Sequence, residues 1–455
     1  MENQRGGHVL VVAYPAQGHI NPLLQFAKRL ASKGLKATLA TTPYTVNSIQ
    51  VTTVGVEPIS DGFDEGGFKQ APSVKAYLES FEQVGSRTLA DIILKYKNSS
   101  TPINCIVYDS LLSWAIDVAR QFDIYGALMF TNSASVCSMY WQIHQGVFTL
   151  PVEQETETVS LPGLPPLGLP DLPSFLAQPA SHPAYLAAIL EKYGILNQID
   201  WVFCNSFDEL ESELVKAMLG QWPLKMVGPL VPSAYLDQQI DGDSAYGASL
   251  WKSKNDRCTE WLDRKPENSV IYVSFGSMAD IALKQAEEIA RGLQASNRPF
   301  LWVARDMENK LPRGLAGETG LIVSWCNQLE VLAHPAVGCY ITHCGWNSTL
   351  EALSLGVPMV GVPQWSDQPT NAKFVEDLWK VGVRVKKDED GIVTGEELKK
   401  CIEEVMEGEK CKEIKRNADK WRDFAKKAVG VGGSSDGNID EFIEKMMKRE
   451  GKKIV

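Results

Sequence analysis

Short apolar runs, each followed by a helical pattern, recur along the chain and limit it to an α/β fold. In the first half these runs are Val9–Tyr14, Lys36–Thr41, Ile103–Tyr108 and Tyr125–Phe130. Their nearly continuous apolar character is typical of strands buried on both faces of a parallel sheet. A second series begins near Asn268, with strands expected at Val270–Phe275, Phe300–Val303, Leu321–Val323, Gly338–Thr342 and Pro358–Val362, and helices at Lys284–Ser296 and Thr349–Leu355. The pattern predicts an α/β protein with two doubly wound, Rossmann-like domains.

The first strand and the first helix are expected to be joined by a short loop. Pro15–His19 breaks the apolar run, Asn21 can cap a helix, and Pro22 can occupy the first helical position, where its missing N–H costs nothing. Gly34 would end the helix. This arrangement leaves His19 in the loop that follows the first strand.

Polar interruptions suggest where the 455 residues divide, since this length is enough for two or three domains. Acidic residues and glycines interrupt the periodicity between Pro232 and Trp251. We therefore place a first domain at residues 1–235, a linker at 236–252 and a second domain at 253–434. The last helix, within residues 435–455, is expected to pack back on the first domain.

Composition excludes several classes of protein. The chain has 56 Asp and Glu against 45 Lys and Arg, a net charge of −11, which argues against a protein that covers DNA or an anionic membrane. No apolar run approaches the roughly 18–20 residues of a spanning helix, and the first residues lack the pattern of a secretory leader. Nine cysteines without a CxxC pair fit free thiols in a reducing compartment. We expect a cytoplasmic protein.

Two segments match interaction or metal-binding patterns, but a structural interpretation is favoured for each. Leu161–Pro173 contains five prolines in thirteen residues, so an ordered loop is expected, with an SH3-type ligand as the alternative. Asp388 and Asp390 give the Asp-x-Asp pattern of metal-dependent sugar transferases, but they lie in a charged run that is typical of a solvated turn. We therefore expect no metal.

The segment from Trp325 to Gln368 carries the most specific chemical signal. His343 follows an expected buried strand and Gly345 precedes a helix, so backbone N–H groups and the positive helix end lie where a phosphate can bind. Glu351 lies one turn into that helix, within range of sugar hydroxyls, and Trp325 can stack on a base. A simpler alternative is that Ser348–Glu351 is a capping box, which needs no ligand.

As a whole, this segment resembles the signature box of plant family 1 UDP-glycosyltransferases, and the resemblance extends from Gly18 to the terminal helix. Two positions depart from the pattern: Asn327 stands where Pro is usual, and Tyr340 stands where Phe is common. The first departure is expected to loosen the turn that carries Gln328. The resemblance implies a GT-B type fold, in which two Rossmann-like domains face each other across a cleft. The first would bind the acceptor and the second the nucleotide sugar.

The resemblance also implies how the donor is bound. Trp325 would stack on uracil, and Gln328 and Glu351 would take the ribose hydroxyls. The diphosphate group would be held by Ser277, His343, Gly345, Asn347 and Ser348, and the sugar by Thr131, Trp346, Asp367 and Gln368. A final Gln in this box usually accompanies glucose, so UDP-glucose is the expected donor substrate, and no cofactor is expected.

His19 and Asp109 are the candidates for the chemistry itself. Both follow expected strands of the first domain, where open α/β sheets place ligands. A neutral imidazole can take a proton from an acceptor hydroxyl, and a carboxylate on its other nitrogen fixes the tautomer. Taken by position alone, His19 can be a structural histidine and Asp109 a helix cap. The resemblance implies that they form a dyad in a single displacement that converts α-linked UDP-glucose into a β-glucoside.

The acceptor side resembles the plant group that glucosylates salicylate, other aryl carboxylates and, in some members, steroids or terpenoids. Expected pocket walls are Ala16, Trp141, Phe175, Tyr185, Met278 and Trp365. Aromatic and Met walls suit a flat or polycyclic apolar acceptor, with ordinary core packing as the alternative for each. Salicylate-type relatives can carry Thr at the position of Ala16. The smaller Ala widens the pocket and argues against small benzoates as acceptors.

Two other functions compete with this interpretation. A non-catalytic binder could keep the fold without turnover, but the presence of His19, Asp109, Asp367 and Gln368 argues for catalysis. A nucleotide-sugar epimerase would need a nicotinamide site, and the sequence has no GxGxxG fingerprint. We therefore expect a metal-independent UDP-glucosyltransferase that acts as a monomer on a small hydrophobic acceptor, without nucleic-acid partners.

Overall fold

The chain forms two compact units, each built on one parallel sheet. The computed structural model describes residues 6–152, 158–218, 220–221, 223–248, 255–279, 281–307, 311, 317 and 319–450. The first unit comprises Met1–Leu169, Phe175–Leu250 and Lys426–Val455, and the second comprises Pro170–Ser174 and Trp251–Ala425. The predicted α/β class with two Rossmann-like sheets is confirmed.

The sheet of the first unit has seven strands in the order β3-β2-β1-β4-β5-β6-β7, all paired in parallel. The strands are β1 His8–Val12, β2 Lys36–Thr41, β3 Gly55–Pro58, β4 Cys105–Asp109, β5 Tyr125–Phe130, β6 Trp201–Cys204 and β7 Leu224–Met226. The central strands β1 and β4 are buried along their whole length, which explains their nearly unbroken apolar sequences.

The sheet of the second unit has six strands in the order β10-β9-β8-β11-β12-β13, again all parallel. They are β8 Val270–Ser274, β9 Phe300–Val303, β10 Gly320–Val323, β11 Val337–Thr342, β12 Met359–Gly361 and β13 Gly382–Arg384. The expected strands of both sheets are present within two residues at either end. The strands β3, β6 and β7 were not among the expected strands.

Helices cover both sheets. They are α1 Gln17–Ser32, α2 Pro43–Val46, α3 Val74–Lys97, α4 Ala115–Gln121, α5 Ala134–His144, α6 Ser174–Ala177, α7 Pro183–Glu191, α8 Ser212–Ala217, α9 Asn255–Leu262, α10 Leu283–Ala295, α11 Gln328–Leu332, α12 Trp346–Leu355, α13 Gln368–Lys373, α14 Gly395–Met406, α15 Gly408–Val429 and α16 Ser434–Glu450. Among the described residues, no helix has the length and apolar character needed to cross a membrane.

The expectation that the first helix begins at Asn21 and Pro22 is wrong. α1 begins at Gln17, after Ala16 in an extended conformation, and Pro22 lies inside the helix. The Asn21 side chain does not cap the helix but accepts a hydrogen bond from Gln17 Nε2 at 2.6 Å. His19 therefore lies in the first turn of a helix that packs on the sheet, not in a loop.

The segment expected to be a linker is tied to α1 in its described part. Asp243 accepts hydrogen bonds from Gln25 at 2.6 Å and Lys28 at 2.8 Å, and Asp237 accepts one from Arg29 at 2.8 Å. These acidic residues therefore neutralise buried cations of α1. Residues 249–252 of the expected linker lie outside the described residues, and the division at 236–252 stays a prediction.

The last helix contributes to the core of the first unit. Ile439, Phe442 and Ile443 of α16 are buried, and the Phe442 ring lies 5.2 Å from that of Phe203 and 4.9 Å from that of Trp201. The chain therefore returns from the second unit to complete the first, and its terminal helix covers strands near the edge of the sheet.

Candidate functional site

His19 and Asp109 are in direct contact in the first unit. His19 Nδ1 lies 2.7 Å from Asp109 Oδ2, and the histidine side chain is 23% exposed while the aspartate is fully buried. β1 and β4 are neighbouring strands, so the ends of these strands bring the two side chains together. A buried carboxylate accepts the Nδ1 proton, which leaves Nε2 as the basic nitrogen of a neutral ring.

Asp109 does not cap a helix, the alternative considered from the sequence, because the next helix, α4, begins at Ala115. Its second oxygen, Oδ1, accepts the backbone N–H of Leu111 at 2.9 Å and so closes the turn that follows β4. The turn and the dyad use different oxygens of one carboxylate. The turn therefore fixes the orientation in which Asp109 meets His19.

Thr131 lies beside the dyad at the end of β5. Its hydroxyl oxygen is 3.2 Å from His19 Nδ1. The Tyr14 ring packs edge-on against the imidazole, with ring centroids 5.3 Å apart. These contacts confine the imidazole plane without engaging Nε2.

Some of the acceptor-side residues expected in the first unit pack together as an aromatic surface. Phe175 and Tyr185 stack with centroids 6.0 Å apart, and Tyr185 hydrogen bonds with Tyr14. Ala16, half-buried, precedes α1 and lies three residues from His19. Trp141 is buried in α5, and its ring lies 6.4 Å from that of Tyr193. Phe175 and Tyr185 are thus linked through Tyr14 to the dyad, whereas Trp141 packs with a different set of rings.

Lys192 is a buried cation that sequence reasoning missed. The side chain is 3% exposed, its ammonium donates to Ser110 Oγ at 3.1 Å, and it lies 5.2 Å from the centre of the Phe130 ring. Burial lowers the pKa of Lys192 to about 8, and the nearby Asp109 partly opposes this effect. A lysine beside a glutamate in a helical segment normally reads as a surface residue, so the sequence offers no signal for this group.

In the second unit, His343 lies between two glycines. A Cβ atom on Gly276 would lie 2.7 Å from His343 Nε2, and one on Gly345 would lie 2.5 Å from the same atom, so only glycine fits at both places. His343 Nδ1 is shielded from solvent and has no hydrogen-bond partner among the described residues. Burial, with a smaller effect from the charge of Arg305, lowers the pKa of His343 to about 4. The ring is therefore neutral at physiological pH.

The helix that follows His343 begins earlier than expected, and the capping-box alternative is wrong. Gly345 is the residue before α12 and has no side chain with which to cap the helix. Ser348 lies inside the helix, where it cannot act as the expected cap, and Glu351 Oε2 accepts a hydrogen bond from Gln328.

The two large residues of this junction differ in their surroundings. Trp346 is buried, and its ring lies 6.1 Å from that of Trp379, so its side chain belongs to the core. Asn347 is half-buried on the first turn of α12.

Gln328 and Glu351 are joined by a short hydrogen bond. Gln328 Nε2 donates to Glu351 Oε2 at 2.6 Å and to Ser348 Oγ at 2.9 Å, while its carbonyl accepts from Tyr272 and Tyr340. Asn327 has φ −75°, within the range that proline adopts. Trp325 lies half-buried on the same segment, after β10.

The segment from Gln364 to Gln368, which contains residues expected to hold the sugar, is stabilised by internal hydrogen bonds. Gln368 Oε1 accepts the backbone N–H groups of Gln364 at 2.9 Å and Trp365 at 3.1 Å, so only its Nε2 can donate to a ligand. Asp367 is buried and accepts from Asn371 Nδ2 at 2.8 Å. The half-buried Trp365 lies within this loop, between the two glutamines.

The proline-rich segment supports this loop. Asp171 accepts a hydrogen bond from Arg384 at 2.6 Å, and Ser174 donates its backbone N–H to Ser366 O at 2.8 Å. Ser366 in turn donates its N–H to Ser174 Oγ at 2.7 Å and has φ +60°. Residues 170–174 thus form an ordered part of the second unit, as expected of a structural loop.

The loop after β8 contains the remaining expected residues. The carbonyl oxygen of Ser277 accepts from Arg305 Nη1 at 2.6 Å, so a cation lies next to this loop. Arg305 was missed by the sequence analysis, although it comes two residues after β9, where the rule that ligands bind at strand ends could have found it. Met278 is 56% exposed.

The Asp-x-Asp segment forms a surface turn. Asp388 Oδ1 accepts the backbone N–H groups of Asp390 at 3.0 Å and Ile392 at 2.8 Å, and both acidic residues are exposed. These bonds explain the acidic residue at position 388 without a ligand.

The chain is similar to known proteins along nearly its whole length. Residues 203–419 match the profile of the family described as UDP-glucoronosyl and UDP-glucosyl transferase. The chain is 48% identical to UDP-glycosyltransferase 74F2 of Arabidopsis thaliana, covering 99% of this chain and 100% of that protein. It is 47% identical to the flavonol 7-O-beta-glucosyltransferase UGT74F1 of the same plant, covering 98% and 99%. The crystal structure of Os79 from O. sativa in complex with UDP matches with a TM-score of 0.91 at 41% identity, covering 96% of this chain and 100% of that one. The chain therefore belongs to the plant family 1 UDP-glycosyltransferases, enzymes of the GT-B fold.

Proposed function

We propose that this enzyme transfers glucose from UDP-glucose to a hydroxyl or carboxyl of a small hydrophobic plant metabolite, with inversion at the anomeric carbon. The observation that carries the proposal is the 2.7 Å contact between His19 Nδ1 and the buried Asp109. It is the arrangement that a general base requires: one nitrogen fixed by a carboxylate and the other left to accept a proton.

The proposed reaction is a single displacement. His19 Nε2 accepts the proton of the acceptor hydroxyl as the hydroxyl oxygen bonds to C1 of glucose. The bond between C1 and the β-phosphate oxygen breaks, and its electron pair leaves with UDP. Asp109 stabilises the imidazolium that forms, and attack opposite the leaving group gives the β-glucoside.

The second unit supplies the proposed donor site. The Gln328–Glu351 pair takes the ribose and Trp325 stacks on the uracil. The proposed diphosphate group is Ser277, His343, Gly345, Asn347 and Ser348, supported by the glycines that flank His343 and by the start of α12 directly after Gly345. The positive end of a helix stabilises an anion there, and Arg305 adds a full charge beside Ser277.

The proposed sugar contacts from the second unit are Trp346, Asp367 and Gln368. Gln368 Oε1 already accepts two backbone N–H groups, so its Nε2 is the atom proposed to donate to the sugar. Thr131, whose hydroxyl lies beside His19, is the proposed contact from the first unit. A glucose donor is supported by the final Gln of the signature box and by the relative whose name specifies a beta-glucosyltransferase.

The proposed acceptor is apolar and carries a hydroxyl close to an aromatic ring system. The stacked Phe175 and Tyr185 and the small Ala16 near His19 support an extended ring system, and Met278, Trp365 and Trp141 stay proposed as outer contacts. The relative named flavonol 7-O-beta-glucosyltransferase, at 47% identity, supports a phenolic hydroxyl. The nine cysteines, none of them in a disulfide, support a reducing compartment, so we propose the cytoplasm as the place of action.

The test is UDP release from UDP-glucose in EDTA across phenols, benzoates, flavonoids, steroids and triterpenoids, with the product identified by mass and the anomeric configuration by NMR. A gain of one hexose in β linkage on a panel member supports the proposal. An α-linked product would overturn the inverting mechanism. UDP-glucose binding without turnover on any acceptor would favour the alternative, a non-catalytic binder with the same fold.

A further inference from the structure

A short stretch from the first half of the chain, which we call the strap, belongs to the second unit although the chain on both sides of it belongs to the first. The strap is Pro170–Ser174. Its buried residue Asp171 accepts a hydrogen bond through Oδ1 from Arg384 Nη1 of β13 at 2.6 Å. The carbonyl oxygen of Asp171 accepts a second bond, from Thr370 Oγ1 of α13, at 2.7 Å. The strap is therefore fixed to two elements of the second unit near its start.

Ser174, the last residue of the strap, holds both backbone polar groups of Ser366. The Ser174 N–H donates to the Ser366 carbonyl oxygen at 2.8 Å, and the Ser366 N–H donates to Ser174 Oγ at 2.7 Å. Ser366 has φ +60°, in the left-handed region that is unfavourable for a residue with a Cβ atom. Such a conformation persists only where the surroundings impose it, and the two bonds to Ser174 do so here.

Ser366 lies in the middle of the loop that carries residues proposed to contact the sugar. Asp367 and Gln368 follow it directly, and Trp365 precedes it. Gln368 Oε1 accepts the backbone N–H groups of Gln364 at 2.9 Å and Trp365 at 3.1 Å, so the loop folds back across Ser366. A change of φ at Ser366 would redirect the chain that leads into Asp367 and Gln368.

We propose that Ser174 is a positioning residue for donor binding: it holds Ser366 in the left-handed conformation and thereby fixes this loop for the sugar. The inference rests on the proposed function, because Asp367 and Gln368 are proposed sugar contacts of that reaction. The residues proposed for uracil, ribose and diphosphate lie within residues 277–351, outside this loop. Ser174 should therefore affect binding of the sugar and not binding of UDP.

The first experiment compares sugar recognition in Ser174→Ala and the wild type. Calorimetry with the full-length enzyme gives the Kd of UDP-glucose and the Kd of UDP, and the ratio of the first to the second isolates the contribution of the sugar. The variant removes the oxygen that accepts the Ser366 N–H but keeps the bond from the Ser174 backbone. We expect the ratio to rise about 3- to 10-fold, as for the loss of one hydrogen bond, with the Kd of UDP unchanged. A ratio within about 2-fold of the wild type, even with lower thermal stability, would show a merely structural role and overturn the inference.

The second experiment tests whether Ser174 acts through the conformation of Ser366. Glycine adopts a positive φ without the steric penalty of serine, so a loop with Ser366→Gly should depend less on the Ser174 hydroxyl. In the Ser366→Gly background, Ser174→Ala should raise the ratio by less than about 2-fold. An effect as large as in the chain with Ser366 would show that Ser174 does not act through this conformation, and would overturn the inference.

Ser181→Ala is the matched control, because it removes a serine hydroxyl from the segment that follows the strap. Ser181 is exposed, and its hydroxyl donates to Gln178 Oε1 at 3.4 Å. The variant should leave both dissociation constants unchanged. Wild-type enzyme that does not bind UDP-glucose would overturn the proposed function, and this inference with it. Wild-type binding with an unchanged ratio in Ser174→Ala would overturn the inference alone.

Discussion

The two units each place a histidine where a strand gives way to a helix, yet the two rings are prepared for different tasks. His19 follows β1, is partly exposed and has a carboxylate 2.7 Å from Nδ1. His343 follows β11, and its shielded Nδ1 has no hydrogen-bond partner among the described residues, with its pKa lowered to about 4. The difference teaches that the partner, and not the position at a strand end, decides whether an imidazole can act as a base. His343 stays neutral, which is compatible with its proposed place beside the diphosphate.

The largest effect is expected from His19→Ala. Removing the base should lower kcat on an aliphatic hydroxyl acceptor by about 10²- to 10⁴-fold, the usual contribution of a positioned general base. UDP affinity should stay the same, because His19 belongs to the first unit and the proposed donor site to the second. Initial rates of UDP release and calorimetry with UDP measure the two quantities.

The matched control for this variant is His144→Ala, an exposed histidine of the same unit. It should keep the wild-type rate. If His19→Ala also keeps the wild-type rate, His19 is not the general base, and the difference between His19 and His343 has no catalytic meaning.

Asp109→Asn should have the next largest effect. The amide can still accept the N–H of Leu111, but its NH₂ group facing Nδ1 would favour the tautomer with the proton on Nε2, which cannot act as a base. We expect kcat to fall about 10- to 10³-fold, and no further loss when the change is added to His19→Ala. Asp117→Asn, at an exposed ion pair, is the control. Multiplicative losses in the double variant would mean that Asp109 does not act through His19.

Lys192 extends the comparison to a basic side chain of the first unit that is almost fully buried. Lys192→Met removes a buried cation that has one hydrogen bond among the described residues, so the free energy of unfolding at pH 7 should rise by about 1–3 kcal/mol. Between pH 8 and 10.5 the folded wild type has lost this proton while the unfolded chain still holds it, so the free energy of unfolding of the wild type rises with pH. The difference in free energy of unfolding between the Met variant and the wild type should therefore become smaller. Urea unfolding at pH 7 and pH 10 measures this. A less stable Met variant at pH 7 would show that the ammonium contributes net stability.

The smallest effect concerns a buried histidine that has no proposed role in catalysis. His8 bonds through Nε2 to Thr38 at 2.8 Å, and burial lowers its pKa to about 4. Below pH 6.5 the unfolded chain binds the proton and the folded chain does not, so stability is full above pH 6.5 and is lost as the pH falls towards 4. Because of His8, the free energy of unfolding of the wild type should fall by about 1–2 kcal/mol between pH 7 and pH 5.

His8→Gln tests that assignment because it keeps hydrogen-bonding groups but does not titrate. The variant should be less stable than wild type at pH 7 and should lose less stability on acidification, as measured by urea unfolding at both pH values. An equally steep loss would mean that other groups, with His343 the first candidate, account for the acid sensitivity.

How far the sequence predicts this molecule depends on the range of the interactions involved. The buried central strands were predictable because burial on both faces requires unbroken apolar runs, as in β4 and β8. The start of α1 was not, because Asn21 and Pro22 form a local start signal that the packing of Ile20–Leu30 on the sheet overrides. Local patterns therefore locate elements better than they locate ends.

The site shows the same division. The glycines that flank His343 lie in recognisable motifs, and the box around them identified the donor residues to be proposed. The environment of Lys192 could not be predicted, because it depends on Ser110 and Phe130, far away in the sequence. The hydrogen bonds of Gln328 likewise could not be predicted, because they come from hydroxyls on two other strands.

The central claim, that His19 removes a proton from the acceptor, is tested most directly by the His19→Ala defect across acceptors of graded acidity. The series runs from an aliphatic alcohol through phenol, with a pKa of about 10, to a nitrophenol and a carboxylate that are ionised at neutral pH. An acceptor that is already ionised needs no base, so the ratio of wild-type to variant rates should be largest for the alcohol and approach one for the ionised acceptors. A ratio that is the same for every acceptor in the series would contradict the claim.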